Sequence, residues 1–549
     1  MTAPYVLPSR DDPVVAGAAE AIGGPPGRHA RVAEQRFWTV TRVLLALALL
    51  TSLLGWLQKA PCRDGSTWTE EHQYLRGCYT DVVALYSAEG LSAGKTPYYD
   101  HPVEYPVVIG GVMELTAELT DALTGSLTGS LTGDNPITRG ERFFDLSWLL
   151  LTVCALVGVV TTARLSGRRP WDAAMFALAP GLLFHATTNW DLVAIALAGL
   201  GLLAWARRRP VVAGVLLGLA TASKLYPVLF LVPLVLLCWR AGRFRALGGV
   251  VAATVVTAIA VTLPVYLTAP SYGQVEGQQR QLLASPLDRL GDDGLGALRP
   301  HACVVTTAAG SQRVDSGSCP EQPPLGGTQL EATNAVYRFF ELNTERPADW
   351  DSLHLQLQRL RTDGDGAFAW LRNGLADLVT DEGGGTPKRL NTVVALLEVA
   401  LVGALTLLVA LAPRRPRLPQ LLFLMVAGFL LVNKVNSPQY VLWLIPLAVL
   451  ARPRWRVFLV WQVTEVLVLW SRFYFFVHND NPQEGIDIKW FFAAVLLRDA
   501  VLVGYMGLVV RDIFRPERDV VRAGGADDPA GGVLDGAPDR HHRPEHALA

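Results

Sequence analysis

The chain has 549 residues, of which 51% are hydrophobic and only 18% charged, with a formal net charge of -1. A soluble protein carries about a quarter charged residues, so that class is excluded. The near-neutral balance gives no reason to expect a nucleic-acid partner. Apolar runs of about 15 to 22 residues recur between short Arg-rich clusters, the pattern of a helical bundle in lipid, where a span needs roughly 20 apolar residues. Strict apolar/polar alternation, the mark of the only other spanning architecture, is absent.

Residues 1–37 are polar and Pro/Gly-containing and read as a disordered cytoplasmic N-terminus. No small-residue cleavage site follows the first apolar run, so that run is expected to stay in the membrane. Arg28, Arg31, Arg36 and Arg42 flank span one (38–57) and place the N-terminus inside. A long hydrophilic loop, 58–142, follows. It holds Cys62 and Cys78, the stretches CYTDVVALYSAEGL (78–91) and GKTPYYDHPVEYP (94–106), and a low-complexity spacer, LTGSLTGSLTGD (123–134). Residues 103–120 look half like a span. Glu104, Glu114 and Glu118 would be costly in lipid, so a re-entrant or interfacial helix is expected.

Six spans then follow, at 143–163, 171–188, 190–206, 210–223, 225–239 and 246–267. They complete an N-terminal membrane module over 38–267. A second polar loop, 268–390, reads as a lid-like subdomain with short helices around 331–344 and 351–376, and contains Cys303 and Cys319. A C-terminal module (391–512) holds spans 391–412, 418–432, 438–451, 455–475 and 489–510, and 513–549 is expected to be a disordered cytoplasmic tail. Arg clusters at 164–169, 207–209, 240–245, 414–417, 452–456 and 511–518 all fall inside if twelve spans are drawn. Both termini are then cytoplasmic and both large loops extracytoplasmic. The fold class is therefore an all-α polytopic membrane protein.

The two cysteine pairs, Cys62/Cys78 and Cys303/Cys319, share a spacing of 16. Outside the cytoplasm each pair could close a local disulfide. Zinc is the competing reading, but neither pair has CxxC spacing.

Four connections on the expected outer side are very short and rich in polar groups: TTNWD (187–191), TASKLYP (221–227), NKVNSPQY (433–440) and FVHNDNPQEGIDIK (476–489). The runs beside Lys224 and Asn433 are too short to cross a core of about 30 Å, so their tips should be recessed into a protein-lined cavity. Only six residues are Lys, and two of them, Lys224 and Lys434, sit in these tips. An ammonium there suits a phosphate at the membrane surface, against snorkelling or a structural pair with Asp191 as the bland alternatives. Asp81 opens an amphipathic stretch. It could act as a base toward a hydroxyl or simply cap a helix, and composition alone favours the cap.

Taken together, YTD (79–81), GKTPYYDHPVEYP (94–106), NWD (189–191), GLATASKLYP (218–227) and NKVNSPQYVLWLIP (433–446) resemble the glycosyltransferase C superfamily. The nearest likeness is to its family 87, the actinobacterial polyprenyl-phosphate-mannose-dependent mannosyltransferases. The resemblance implies a glycosyltransferase-C-type bundle in the bacterial plasma membrane, with about 12 transmembrane helices and two large extracytoplasmic loops. It implies an inverting transfer of a hexose, mannose above others, from a polyprenyl-phosphate sugar to a glycolipid or glycan acceptor, with Asp81 as general base. Lys224 and Lys434 would hold the donor phosphate. Asp100, His101 and Glu104 would contact donor or acceptor, and Asn189, Asp191, Tyr226, Asn433, Asn436, Gln439 and Tyr440 would line the cavity. Many members carry a paired-acid motif associated with a metal. Here Tyr79 and Thr80 precede Asp81, so no cofactor is expected. The main rival is a secondary transporter or lipid flippase, which would place ionisable groups at the midplane of repeated halves; no repeated half is evident. A purely structural subunit would leave Asp81, Lys224 and Lys434 without a shared reason.

Overall fold

A computed structural model describes residues 12–22, 37–63, 71–127, 136–273, 281–283, 301–307, 310–314, 328–362, 368–381 and 386–539. Among them, six helices are long and apolar enough to cross a membrane: Val40–Cys62, Arg139–Leu165, Phe244–Thr268, Lys388–Leu411, Trp455–Asp480 and Ile488–Phe514. Five shorter apolar helices join them: Asp191–Ala206, Pro210–Ser223, Tyr226–Ala241, Leu418–Val432 and Pro438–Ala451. The chain is a multi-pass membrane protein. The expected span at 171–188 is not one helix. It breaks into Pro170–Ala173, Ala174–Ala177 and Pro180–His185, because Pro180 lacks the N–H that would continue the ladder. Gly181 N, orphaned by the break, donates to Oε1 of the buried Gln462 at 2.9 Å.

The arginine clusters gather at one end of the bundle. Arg452 pairs with Asp512 at 2.9 Å and Arg417 with Asp519 at 2.6 Å. Here two expectations of disorder fail. Residues Pro13–Ile22 form a helix, and Asp12 accepts a hydrogen bond from Trp455 N. The tail from 515 to 539 folds back over the same end, because its carboxylates neutralise guanidinium groups that would otherwise be buried unpaired. Asp539 takes Arg240 (2.7 Å), Asp527 takes Arg415 (3.0 Å), and Asp528 accepts from Leu418 N. Leu534 is fully buried beneath it.

The opposite end carries the loops. Helix Val107–Leu127 has both its ends there. Val107 packs with Val265 and Ala269 at the end of helix Phe244–Thr268, and Asp121 pairs with Arg139 at the start of helix Pro136–Leu165. The helix thus lies along that end and does not cross the bundle. Cys62 and Cys78 are joined in a disulfide with Cα atoms 5.6 Å apart. Of the second pair, Cys319 lies outside the described residues. The spacer 123–134 is described only through residue 127, where it continues the helix.

In the second loop a five-stranded antiparallel sheet appears where the sequence suggested no strands: β1 (Ser271–Gly273), β2 (Gln281–Leu283), β3 (His301–Thr307), β4 (Gly310–Val314) and β5 (Thr328–Asn334), in the order β2-β1-β5-β3-β4. Ser271 registers with Asn334, and Thr306 with Thr328. Strand β5 replaces the first residues of the expected helix at 331–344. Helices Arg338–Glu345, Leu353–Gln358 and Ala369–Val379 follow as a lid.

A close helix–helix approach lies just before Lys224. Helix Pro210–Ser223 lies against helix Phe244–Thr268 through Gly214 and Gly218, and a Cβ at either would strike the carbonyl oxygen of Val250 or of Thr254. Glycines four apart allow that backbone contact. Gly218→Val should therefore push the helices apart and lower the thermal midpoint in detergent, by the equivalent of about 1–3 kcal/mol. An unchanged midpoint would show that the close approach is dispensable.

Candidate functional site

Fourteen helical residues before Lys224 span only about 21 Å, short of the roughly 30 Å core. The tip at 224–226 is therefore sunk below the loop end. The same holds for the 15-residue helix that ends at Val432, before Asn433. Between these tips, the first loop and the lid lies a cavity of about 670 Å³.

Asp81 stands in its wall, and the local sequence explains how it is held. Lys59 closes the first span and donates to the carbonyls of Tyr79 (2.7 Å) and Gly77 (3.3 Å), while the Cys62–Cys78 bond fixes the segment behind. Thr80 caps the helix Asp81–Ala88. Its Oγ1 accepts from Val82 N and donates to Thr187 O at 2.6 Å, and Asp81 N donates to Thr188 O at 2.8 Å. The capping task thus falls to Thr80, which leaves the Asp81 carboxylate to the cavity. Burial pushes Asp81 above the ordinary carboxylate range. The hydrogen bond from Tyr79 and the charges of Lys224 and Arg472 oppose that rise, and Asp191 adds to it.

Lys224 faces the cavity from the recessed tip. Its Nζ pairs with Asp191 Oδ1 at 3.1 Å and sits 4.6 Å from the centre of the Tyr105 ring. Asp191, wholly buried, also accepts from Trp443 Nε1 (3.2 Å), and Asn189 Oδ1 takes its backbone N–H. Trp443 is sandwiched between Tyr226 and Tyr440, with ring centres 4.3 and 4.0 Å away, an aromatic stack along the cavity.

Of the expected site residues, Asp81, Glu104, Asn189, Lys224, Tyr226, Asn433, Gln439 and Tyr440 line the cavity. Asp191 supports it through Lys224. Four do not line it. Asp100 is exposed and accepts from Thr96 N; His101 pairs with Glu89 at 3.3 Å; Asn436 is buried away from the space. Lys434 is the largest correction. Its ammonium donates to the carbonyls of Arg346 (2.7 Å) and Thr344 (3.1 Å), and its own carbonyl accepts from Asp349 N. It ties the lid down and leaves other cations to the cavity.

Those cations are Arg346, from the lid, and Arg472, from helix Trp455–Asp480. Arg472 pairs with the fully buried Asp351 of the lid at 2.9 Å. An arginine in the middle of an apolar run was a readable signal; nothing in the sequence around Arg346 marked it. Among the described residues, no three His, Cys, Asp or Glu side chains group as a metal site.

Residues 143–279 match the family model for glycosyltransferase family 87. The match covers about a quarter of the chain. That bears out the resemblance read from the sequence, and two of its motifs, NWD and GLATASKLYP, fall inside the matched residues. No curated protein matches the chain. A solved structure, the oligosaccharyltransferase of Archaeoglobus fulgidus in the apo form, is similar at 11% identity and a TM-score of 0.33, covering 87% of this chain and 56% of that one. A likeness that loose carries no argument.

The charges around Asp81 predict the pH dependence of any reaction in which its carboxylate acts as a base. Such a base must be ionised, so the activity it supports would fall as pH drops through the Asp81 pKa, and Lys224 lowers that pKa. Lys224→Met should move the acidic limb of kcat/KM to higher pH. A limb that stays where it was would mean that Asp81 does not titrate in the reaction.

Proposed function

We propose that the cavity is the active site of an inverting hexosyltransferase, with mannose the first choice, which uses a polyprenyl-phosphate sugar as donor and an extracytoplasmic glycolipid or glycan as acceptor. The observation that carries this reading is the meeting of the half-buried Asp81 carboxylate with Lys224, Arg346 and Arg472 around a single cavity at the recessed helix tips. By the excess of Arg at the opposite end, that end is cytoplasmic and the cavity faces outward.

The chemistry follows from the charge layout. An acceptor hydroxyl placed beside Asp81 gives its proton to the carboxylate as its oxygen attacks the anomeric carbon. The bond from that carbon to the phosphate oxygen breaks on the opposite face, and its electron pair leaves with the phosphate. Cations fixed in advance at that side stabilise the developing charge without reorganising. Lys224 belongs to that group, although Asp191 shares its charge. Arg346 and Arg472 take the part expected of Lys434. The Tyr226–Trp443–Tyr440 stack offers an aromatic edge to the C–H face of a sugar. A donor carried on a lipid needs no nucleotide pocket, because its phosphate already lies at the headgroup plane. The reading uses no cofactor.

Asp81→Asn keeps the shape of the side chain and removes the base. Sugar transfer from a polyprenyl-phosphate hexose to an endogenous lipid acceptor should fall by about 10²–10⁴-fold, with the thermal midpoint in detergent retained. Transfer at the wild-type rate would remove Asp81 from the mechanism.

A further inference from the structure

Helices Trp455–Asp480 and Ile488–Phe514 pack against each other and enclose charge well inside the spans. Glu465, Arg498 and Asp499 lie there, each buried. Arg498 is the eleventh residue of its helix, about 15 Å below the loop end. Glu465 is the eleventh of the other, about 22 Å below its own loop end. Arg498 Nε donates to Asp499 at 2.7 Å, and Nη1 faces Glu465 at 3.9 Å. Glu465 Oε1 accepts from Trp461 Nε1 at 2.7 Å. A buried ionic set adds little stability over apolar side chains of the same size, so its presence inside a span points to a function.

The remaining arm of Arg498 shows where that function lies. Nη2 donates to the backbone carbonyl of Asp351 at 3.0 Å, so a guanidinium inside the bundle grips the peptide of the lid. Asp351 and Ser352 are sunk with it, 0% and 1% exposed. The Asp351 side chain in turn takes Arg472 Nη1 on Oδ1 at 2.9 Å, while Oδ2 meets no hydrogen-bond donor among the described residues. Asp349, the other lid carboxylate near Arg472, is 3.9 Å away. The aim of Arg472 into the cavity therefore rests mainly on one oxygen. That oxygen is only as steady as the peptide behind it, and Arg498 holds the peptide. Asp351 thus receives both guanidinium groups, one on its backbone and one on its carboxylate.

We propose that Arg498 is a positioning residue for sugar transfer. Its planar fork joins Asp499 to the lid peptide at Asp351, and through Asp351 it holds Arg472 against the phosphate of the lipid-linked donor. A lysine ammonium is a point charge without that fork and does not bridge the two. Arg498 is not among the residues that line the cavity, so its effect reaches the substrate only through Arg472. This role presupposes Arg472 as a donor-phosphate cation, the part given to it under the proposed function.

The test is equilibrium binding of a fluorescent short-chain polyprenyl phosphate to the full chain in detergent. A merely structural defect lowers the amplitude of such a titration and leaves Kd where it was. Arg498→Lys keeps a charge beside Asp499 and Glu465, which protects insertion of the span, and should raise Kd roughly threefold. Arg472→Gln, which loses the cation itself, should raise it about tenfold or more. In the Arg472→Gln background, Arg498→Lys should add nothing, because the group through which it acts is gone. Asp351→Asn, which weakens the same link, serves as a second background with the same expectation. An unchanged Kd in Arg498→Lys, or an effect of equal size in either background, would overturn the positioning role and leave the donor reading in place. An unchanged Kd in Arg472→Gln would remove the phosphate role of Arg472 and the positioning role with it. The part played by Asp81 is read separately, by transfer activity.

Discussion

Lys224 and Asp191 meet at 3.1 Å on the ends of two helices of 14 and 16 residues, and much of the site depends on that meeting. Helices of this length cannot reach the plane where longer spans end, so the chain between them turns inside the bundle. Backbone and charge at that depth need partners. Each supplies the other's, with Trp443 and Asn189 completing the set. A buried pair of this kind adds little net stability over an apolar one. Its value is positional: it keeps an ammonium facing a cavity that would otherwise close with apolar side chains.

The lid shows the same economy. Lys434, a cation in the other recessed tip, turns its ammonium to two lid carbonyls and is not among the residues that line the cavity. In exchange it fixes the segment that delivers Arg346, and Arg472 is fixed from the other side by Asp351. Lys434 thus holds structure without lining the cavity, whereas Arg472 does both, lining the cavity while pairing with Asp351 of the lid.

Much of this was legible in the sequence. Apolar runs located the spans, and the runs too short to cross located the cavity. Lys224 stood out because an ionisable group in so short a connection has few harmless explanations, whereas Asp81 read as a helix cap by composition and was singled out only by the family resemblance. What escaped depended on tertiary partners. Thr80 and Asp81 are both good caps, and only the reach of Thr80 to Thr187 O decides between them. Lys434 and Arg472 look alike in a hydropathy profile, and the lid determines which one serves the cavity. The run at 171–188 reads as a span because its proline breaks are tolerated where Gln462 satisfies the freed amide. The Asp- and Gly-rich tail has the composition of a disordered segment; it orders because arginines far upstream await its carboxylates.

That tail bears on the order of biosynthesis. Arg417 is almost fully buried, and its carboxylate partner Asp519 lies 102 residues downstream; Arg240 waits 299 residues for Asp539. While the last spans are still being made, both guanidinium groups have only carbonyls and headgroups to turn to. The arginine-rich end therefore closes late, after the bundle has been threaded, much as a drawstring closes a bag. A chain assembled in this order has its cavity walls in place before the seam at the other end is tied.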